Sequence, residues 1–327
     1  TPPVAEIQGV ALFLVDRPLK AAAPPRPLID AMALRLERPH IHVIVPGHNG
    51  SELRRQTLLE NMRSLTKASL DITCTLYAYA PVQDVSPCVT VNHVGFWMQH
   101  LHGDEAVKLH RIYAADYVMI MIDSVALRSV DVRQLTLVMA WNCIDMAGPS
   151  CPSCESKQLI APDSRYNTSH RSGRRVAFID HQITLLTPAA FACQRRLAHV
   201  IGLDIDVRGW SIGKYTPVYC NLRVGIFDEG YVDKIASGAY GWDLASRDYI
   251  AGQTWLLQRM AEIKKPNVDT ILGPLERPPP IETLSHREVQ PVEQCLNARR
   301  AIVDAAPACF PCSDVLSRLD ENETVAA

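Results

Sequence analysis

Residues 116–127 read DYVMIMIDSVAL. Tyr117 to Ile122 are all apolar or aromatic, and the run ends on a single acid, Asp123. An unbroken apolar run of strand length predicts a strand buried on both faces, central in a sheet. An acid at the carboxyl end of such a strand stands where open α/β sheets bind their ligands. A metal site would suit a second acid at the next position, but the sequence has Ser124. The stretch therefore reads either as a metal site or as the remnant of one.

Outward from this strand the pattern alternates. HIHVIVPGHN (40–49) is an apolar strand closed by Pro46 and Gly47. SELRRQTLLENMRSL follows, with Leu58, Met62 and Leu65 at helical spacing and Ser51 as its N-cap. LDITCTLYAYA (70–80) and CVTVNHV read as two further strands, and SVDVRQLTLVMAWN (129–142) as a helix. VAFIDHQITLLT (176–187) alternates like a strand, and Pro188 opens a helix, PAAFACQRRLAHVI. NLRVGIFDEGYV is a late strand and ASRDYIAGQTWLLQRMAEI an amphipathic helix. Alternating strands and helices predict an α/β fold, a mostly parallel sheet flanked by helices. This core spans residues 39–263. Residues 1–38 form a proline-rich extension, and 264–327 a C-terminal extension with a helix in PVEQCLNARRAIVDAA. Proline at this density favours extended backbone. Such segments stay ordered only by packing on something, so other protein subunits are expected against both extensions.

Composition narrows the function classes. The chain has 327 residues, 47% of them hydrophobic, and a formal charge of -2. That charge gives no basic footprint for nucleic acid. No stretch reaches the roughly 18 consecutive apolar residues of a membrane span. The chain begins at Thr1, which reads as a processed form. The compartment stays open between an organelle such as the mitochondrion and the Golgi or secretory lumen. Ten cysteines are too scattered to read as a disulfide scaffold. The pairs Cys151/Cys154 and Cys309/Cys312 have CxxC spacing, compatible with thiols, local disulfides or zinc. His40 and His42 share a strand face as a candidate metal pair, against the ordinary reading of strand-end histidines. Asn49, Asn167 and Asn322 head glycosylation sequons.

Four acids fall at or just beyond strand ends: Asp123, Asp180, Asp206 and Asp228. Each could simply cap a helix or turn. Their order, with the segments IDSVAL (122–127), GPSC (148–151), DHQITLLTPAAF (180–191), GLDID (202–206) and GIFDEGYVDK (225–234), adds a second reading. Over residues 40–260 the chain resembles the GT-A glycosyltransferase-like domains of green algae and large algal viruses.

The resemblance implies a GT-A-like fold and a set of roles. Asp123 matches the acid that reaches the metal or the ribose of a sugar nucleotide. Asp180 matches a candidate general base, and Asp206 an acid contacting the acceptor or donor sugar. Asp228 matches the acid on the late strand. Pro46, His48 and Arg54 would face the nucleotide. The departures lie at Ser124, in place of the second metal acid, at Lys234, in place of a metal histidine, and at Gly202, Leu203 and Asp204, in place of a Gly-Trp-Gly segment. A hydroxyl is a poor ligand for a hard cation and an ammonium repels one. Two expectations follow. The first is a non-catalytic structural or accessory subunit of a larger assembly, with no metal at Asp123. The second is an active glycosyltransferase using a nucleotide-sugar, with Mn or Mg or with Lys234 as substitute. Asp180 and Asp206 are its catalytic residues, and Asp123, Ser124, Lys234, His48 and Arg54 its nucleotide-sugar set.

Overall fold

The structure is a computed structural model. It describes residues 38–48, 50–68, 70–79, 81–83, 85–92, 95, 97–103, 114–154, 161–180, 182–203, 215–217, 219–236 and 271–279. The helices expected around 244–262 and 291–306, residues 1–37 and Asp206 lie outside them.

The run that opens the sequence forms β4 (Tyr117–Met121), buried along its whole length. It lies between β1 (His40–His48), to which it is parallel, and β8 (Ile183–Leu186), to which it is antiparallel. Beyond β1 come β2 (Asp71–Ala78) and β3 (Cys88–Asn92), both parallel to it. Beyond β8 come β6 (Met146–Ser150), β9 (Val224–Lys234), β7 (Arg171–Val176) and β10 (Ile271–Glu276). The order is β10-β7-β9-β6-β8-β4-β1-β2-β3, and a short β5 (Val125–Leu127) pairs with β9. Along that path only β7 and β8 run against the rest. The α/β expectation holds: the sheet is mixed, mostly parallel and flanked by helices.

The helices form where their sequences predict. α1 (Glu52–Lys67) is capped by the Ser51 hydroxyl, which accepts from the Arg54 N–H, and it buries Leu58, Met62 and Leu65. Its buried Asn61 carboxamide donates to the Val125 carbonyl and accepts from the Leu127 N–H, each at 2.8 Å. One α1 side chain therefore fixes β5, directly after Asp123. α2 is Trp97–His102, α3 Val132–Trp141 and α4 Pro188–Ile201, the last with Thr187 as N-cap and proline in its first turn. Tyr117 on β4 donates to the Thr136 carbonyl of α3, so the central strand is tied to the helix beneath it. Among the described residues no helix is long and apolar enough to cross a membrane.

Three sequence readings need correction. Pro46 and Gly47 do not end β1. The register with β2 shifts between Val45 and His48, and the strand continues to His48. The alternating run 176–187 is not one strand. β7 ends at Val176, the Gln182 N–H donates to the Asp180 carbonyl in a turn, and β8 begins at Ile183 beside Met121. Alternation reports that residues face a core, not that one strand carries them all.

The cysteines are the third correction. Cys74 and Cys88 stand directly opposite on β2 and β3 and are bonded, as are Cys151 with Cys154 and Cys193 with Cys220. Cys143 is disulfide-bonded too. All seven described cysteines are thus oxidised, and Cys151 and Cys154 hold each other rather than zinc. Linear spacing hid this, because strand pairing and the α4-to-β9 return bring distant positions together.

Candidate functional site

The sheet positions an acid centre at the carboxyl end of β4. Pro46 and Gly47 form the irregularity in β1, with Gly47 at φ 69° in the left-handed region. A Cβ at Gly47 would stand 2.6 Å from the Trp97 indole nitrogen and 2.7 Å from the Tyr79 hydroxyl, so only glycine fits here. The extra residue re-aims the side chain after it, as bulges do. His48 turns inward, fully buried, and its Nδ1 donates to Asp123 Oδ2 at 2.7 Å. Arg54, in the first turn of α1, donates from Nη1 to Asp123 Oδ1 at 3.1 Å. Asp123 is 2% exposed and has one oxygen on each partner. The resemblance implied that Asp123, His48 and Arg54 face one nucleotide; the structure brings the three side chains into direct contact.

Ser124 and Lys234 are neighbours by strand pairing. Val125 lies opposite Lys234, and the Ser124 carbonyl accepts from the Ile235 N–H at 2.9 Å. The Lys234 N–H donates to the Ser153 hydroxyl, in the turn closed by Cys151 and Cys154. Asp180 reaches the same end of the sheet through β8. The Ile122 N–H donates to the Gln182 carbonyl, and Asp180, half-buried, accepts from the Gln182 carboxamide at 2.9 Å.

Buried polar atoms flank the centre. His48 Nε2 on β1 and Gln182 Oε1 and Thr184 Oγ1 on and beside β8 have no hydrogen-bond partner. A buried polar group without a partner costs roughly 1–3 kcal/mol. Sequence reading missed Gln182 and Thr184, although the polar side chains in ITLL and just before it were the available signal.

Asp228 belongs elsewhere. On β9, it accepts from Arg174 Nη1 at 2.8 Å on both oxygens, and from the Asp163 N–H at 3.2 Å. Arg174 also donates to the Ala161 carbonyl. Burial pushes the Asp228 carboxyl up to about 6, against the pull of the Arg174 guanidinium. This pair locks β7, β9 and the 161–163 segment together. β7 carries the basic run RSGRR (171–175), with Arg174 buried in it. His40 and His42 share the Thr73 hydroxyl as partner, at 3.0 and 2.9 Å, which accounts for their common face without a metal. Among the described residues no group of three or more His, Cys, Asp or Glu side chains is arranged to hold a metal ion.

No family model matches the chain, and no curated protein matches it. Solved structures similar to it include the mannosyltransferase PcManGT from Pyrobaculum calidifontis in complex with GDP-Man and Mn2+. That likeness has 12% identity and a TM-score of 0.44, over 91% of this chain and 87% of that one. They also include residues 1–349 of S. aureus TarS, at 10% identity and a TM-score of 0.40, over 67% of this chain and 72% of that one. The same TarS segment in complex with UDP is similar at 10% identity and a TM-score of 0.43, over 79% and 71%.

Proposed function

We propose that this chain is a glycosyltransferase-like protein whose metal site has been lost, and that it serves as a non-catalytic accessory subunit of a larger assembly. The observation that carries this reading is the state of Asp123. Its two oxygens are committed to His48 and Arg54, the next side chain is a hydroxyl, and Lys234 lies one strand away. A divalent cation of the magnesium or manganese kind needs several free oxygen ligands. One engaged carboxylate, one hydroxyl and an ammonium do not fit it. Residues 1–38 and the part of 264–327 beyond β10 would supply contacts to partner subunits, and removing residues 1–38 should leave the core folded but weaken assembly.

A second reading is favoured by the cations themselves. Arg54 and Lys234 could offset the charge of a departing diphosphate without a metal, with His48 holding Asp123 beside them. Asp180, half-exposed at the same sheet end, would be the base and Asp206 a further sugar contact. Titration calorimetry with uridine and guanosine diphosphate sugars, with and without manganese, separates the readings when combined with a donor-turnover assay. The accessory reading expects no turnover and no manganese-dependent binding. Metal-independent binding with turnover lost in Asp180→Asn would establish the second. Micromolar binding that needs manganese would defeat the account of Asp123 on which the first rests.

A further inference from the structure

We infer that this chain folds in an oxidising, glycosylating lumen and carries an N-linked glycan on Asn167. The oxidation state and the sequon point to the same compartment independently. All seven described cysteines are in disulfides, and such bonds persist in secretory compartments and are rare in the cytosol.

The structure also chooses among the three sequons. Asn49 lies outside the described residues, but its sequon hydroxyl is Ser51, which is occupied as the α1 N-cap beside Arg54 of the acid centre. Asn322 lies outside the described residues altogether. Asn167 is exposed, at the end of the one-turn helix Ser164–Tyr166. Only its backbone N–H is engaged, with the Ser164 carbonyl. Ser169, the hydroxyl residue of its sequon, is exposed as well. The turn is held from behind, by Asp163 on Asp228 and by Arg277 on the Thr168 carbonyl, so the acceptor is presented outward on a fixed base. β7, which follows this turn, stands four strands from β4 in the sheet order. At about 4.8 Å per strand that is roughly 19 Å, so a glycan clears the acid centre.

The chemistry balances with luminal co-reactants. The Asn167 carboxamide nitrogen forms a bond to the first sugar carbon of a polyprenyl-diphosphate oligosaccharide. The bond from that carbon to the diphosphate oxygen breaks, the nitrogen loses one proton, and the lipid diphosphate leaves. Each disulfide forms by exchange with an oxidised dithiol carrier, which leaves reduced.

The test directs the full chain into the secretory pathway of a cultured eukaryotic cell. Released protein is treated with peptide-N-glycosidase in heavy-oxygen water and mapped by mass spectrometry, and unreduced protein is alkylated under denaturing conditions. The expected result is isotope-labelled deamidation at Asn167, lost in Asn167→Gln and in Ser169→Ala but kept in Ser169→Thr. Cys74, Cys88, Cys151, Cys154, Cys193 and Cys220 should stay unalkylated until reductant is added. Folded secreted protein with Asn167 unlabelled, or with these cysteines freely alkylated, would overturn the inference. Secretion of Asn167→Gln at parental yield and with a parental circular-dichroism spectrum shows that loss of label is not loss of fold.

Discussion

Asp123 and Asp228 are both buried aspartates, one in each half of the same sheet, and both are met by an arginine. They are nevertheless built differently. Asp228 gives both oxygens to one nitrogen of Arg174, itself 3% exposed, and takes a backbone N–H besides. Every partner belongs to the strands and loop it fastens. Asp123 divides its oxygens between the end of β1 and the first turn of α1, and Arg54 there is 11% exposed. The atoms around it are not all satisfied, since His48 Nε2 is buried without a partner. A closed set of partners makes a fastening. Asp123 instead joins two separate elements, β1 and α1, beside a buried histidine nitrogen with no partner.

The largest expected effect is at the fastening. Asp228→Ala or Arg174→Ala should lower the unfolding free energy by about 3–5 kcal/mol, because each leaves a buried charge uncompensated. The double change Arg174→Met with Asp228→Leu should recover most of that loss, since it removes both charges and keeps volume. Urea denaturation measures all three. If the single changes cost no more than changes at Asp123, the contrast between fastening and site disappears.

Next is the bond that staples β2 to β3 at the other end of the sheet. Cys74 and Cys88 are 14 residues apart. Replacing both with alanine should cost about 3 kcal/mol, as expected for a loop of this length. Thermal unfolding with and without reductant checks it, and the variant should be insensitive to reductant at this loop.

The pH dependence follows from Asp228. Its folded value of about 6 lies above the roughly 3.9 of an unfolded aspartate. The native state therefore holds the proton more tightly than the unfolded chain. The contribution is fully present below about pH 4 and is lost as pH rises through 6, a change of roughly 2–3 kcal/mol at 1.36 kcal/mol per unit. In Asp228→Asn this falling component of the stability–pH profile should vanish. An unchanged profile would place the Asp228 titration elsewhere.

The smallest effect should be at the site. Asp123→Asn keeps one acceptor oxygen, enough for His48 or Arg54 but not both, and should cost about 1–3 kcal/mol. If it instead unfolds the protein, Asp123 is a fastening like Asp228, and the ligand reading of the carboxyl end loses its basis.

Much of this was legible in the chain. The apolar run 117–122 announces a central strand because a strand covered on both faces has no polar side to show. Ser51, Thr187 and Pro188 mark helix starts because orphan N–H groups need an acceptor, or a residue without one to donate. β6 was not legible, since MAGPS carries a glycine and a proline. Its register with β9 shifts between Pro149 and Ser150, a tertiary accommodation that no local rule predicts. β10, from the segment read as an extension, joins the sheet beside β7 for a similar reason: ILGPLE has no alternation to advertise.

By itself the sequence determined the α/β class and the central strand with Asp123 at its tip, both of which rest on local periodicity. The gathering of His48, Arg54 and Asp123 was only implied by the family resemblance, since 75 and 69 residues separate Asp123 from the other two. Only the tertiary structure decided that Asp228 meets a buried arginine on both oxygens while Asp123 divides its oxygens between two elements. Asp228 meets Arg174 across 54 residues and Cys193 meets Cys220 across 27. Ion pairs and disulfides act over a few ångströms, and the chain sets those separations only once β7, β9 and α4 have packed.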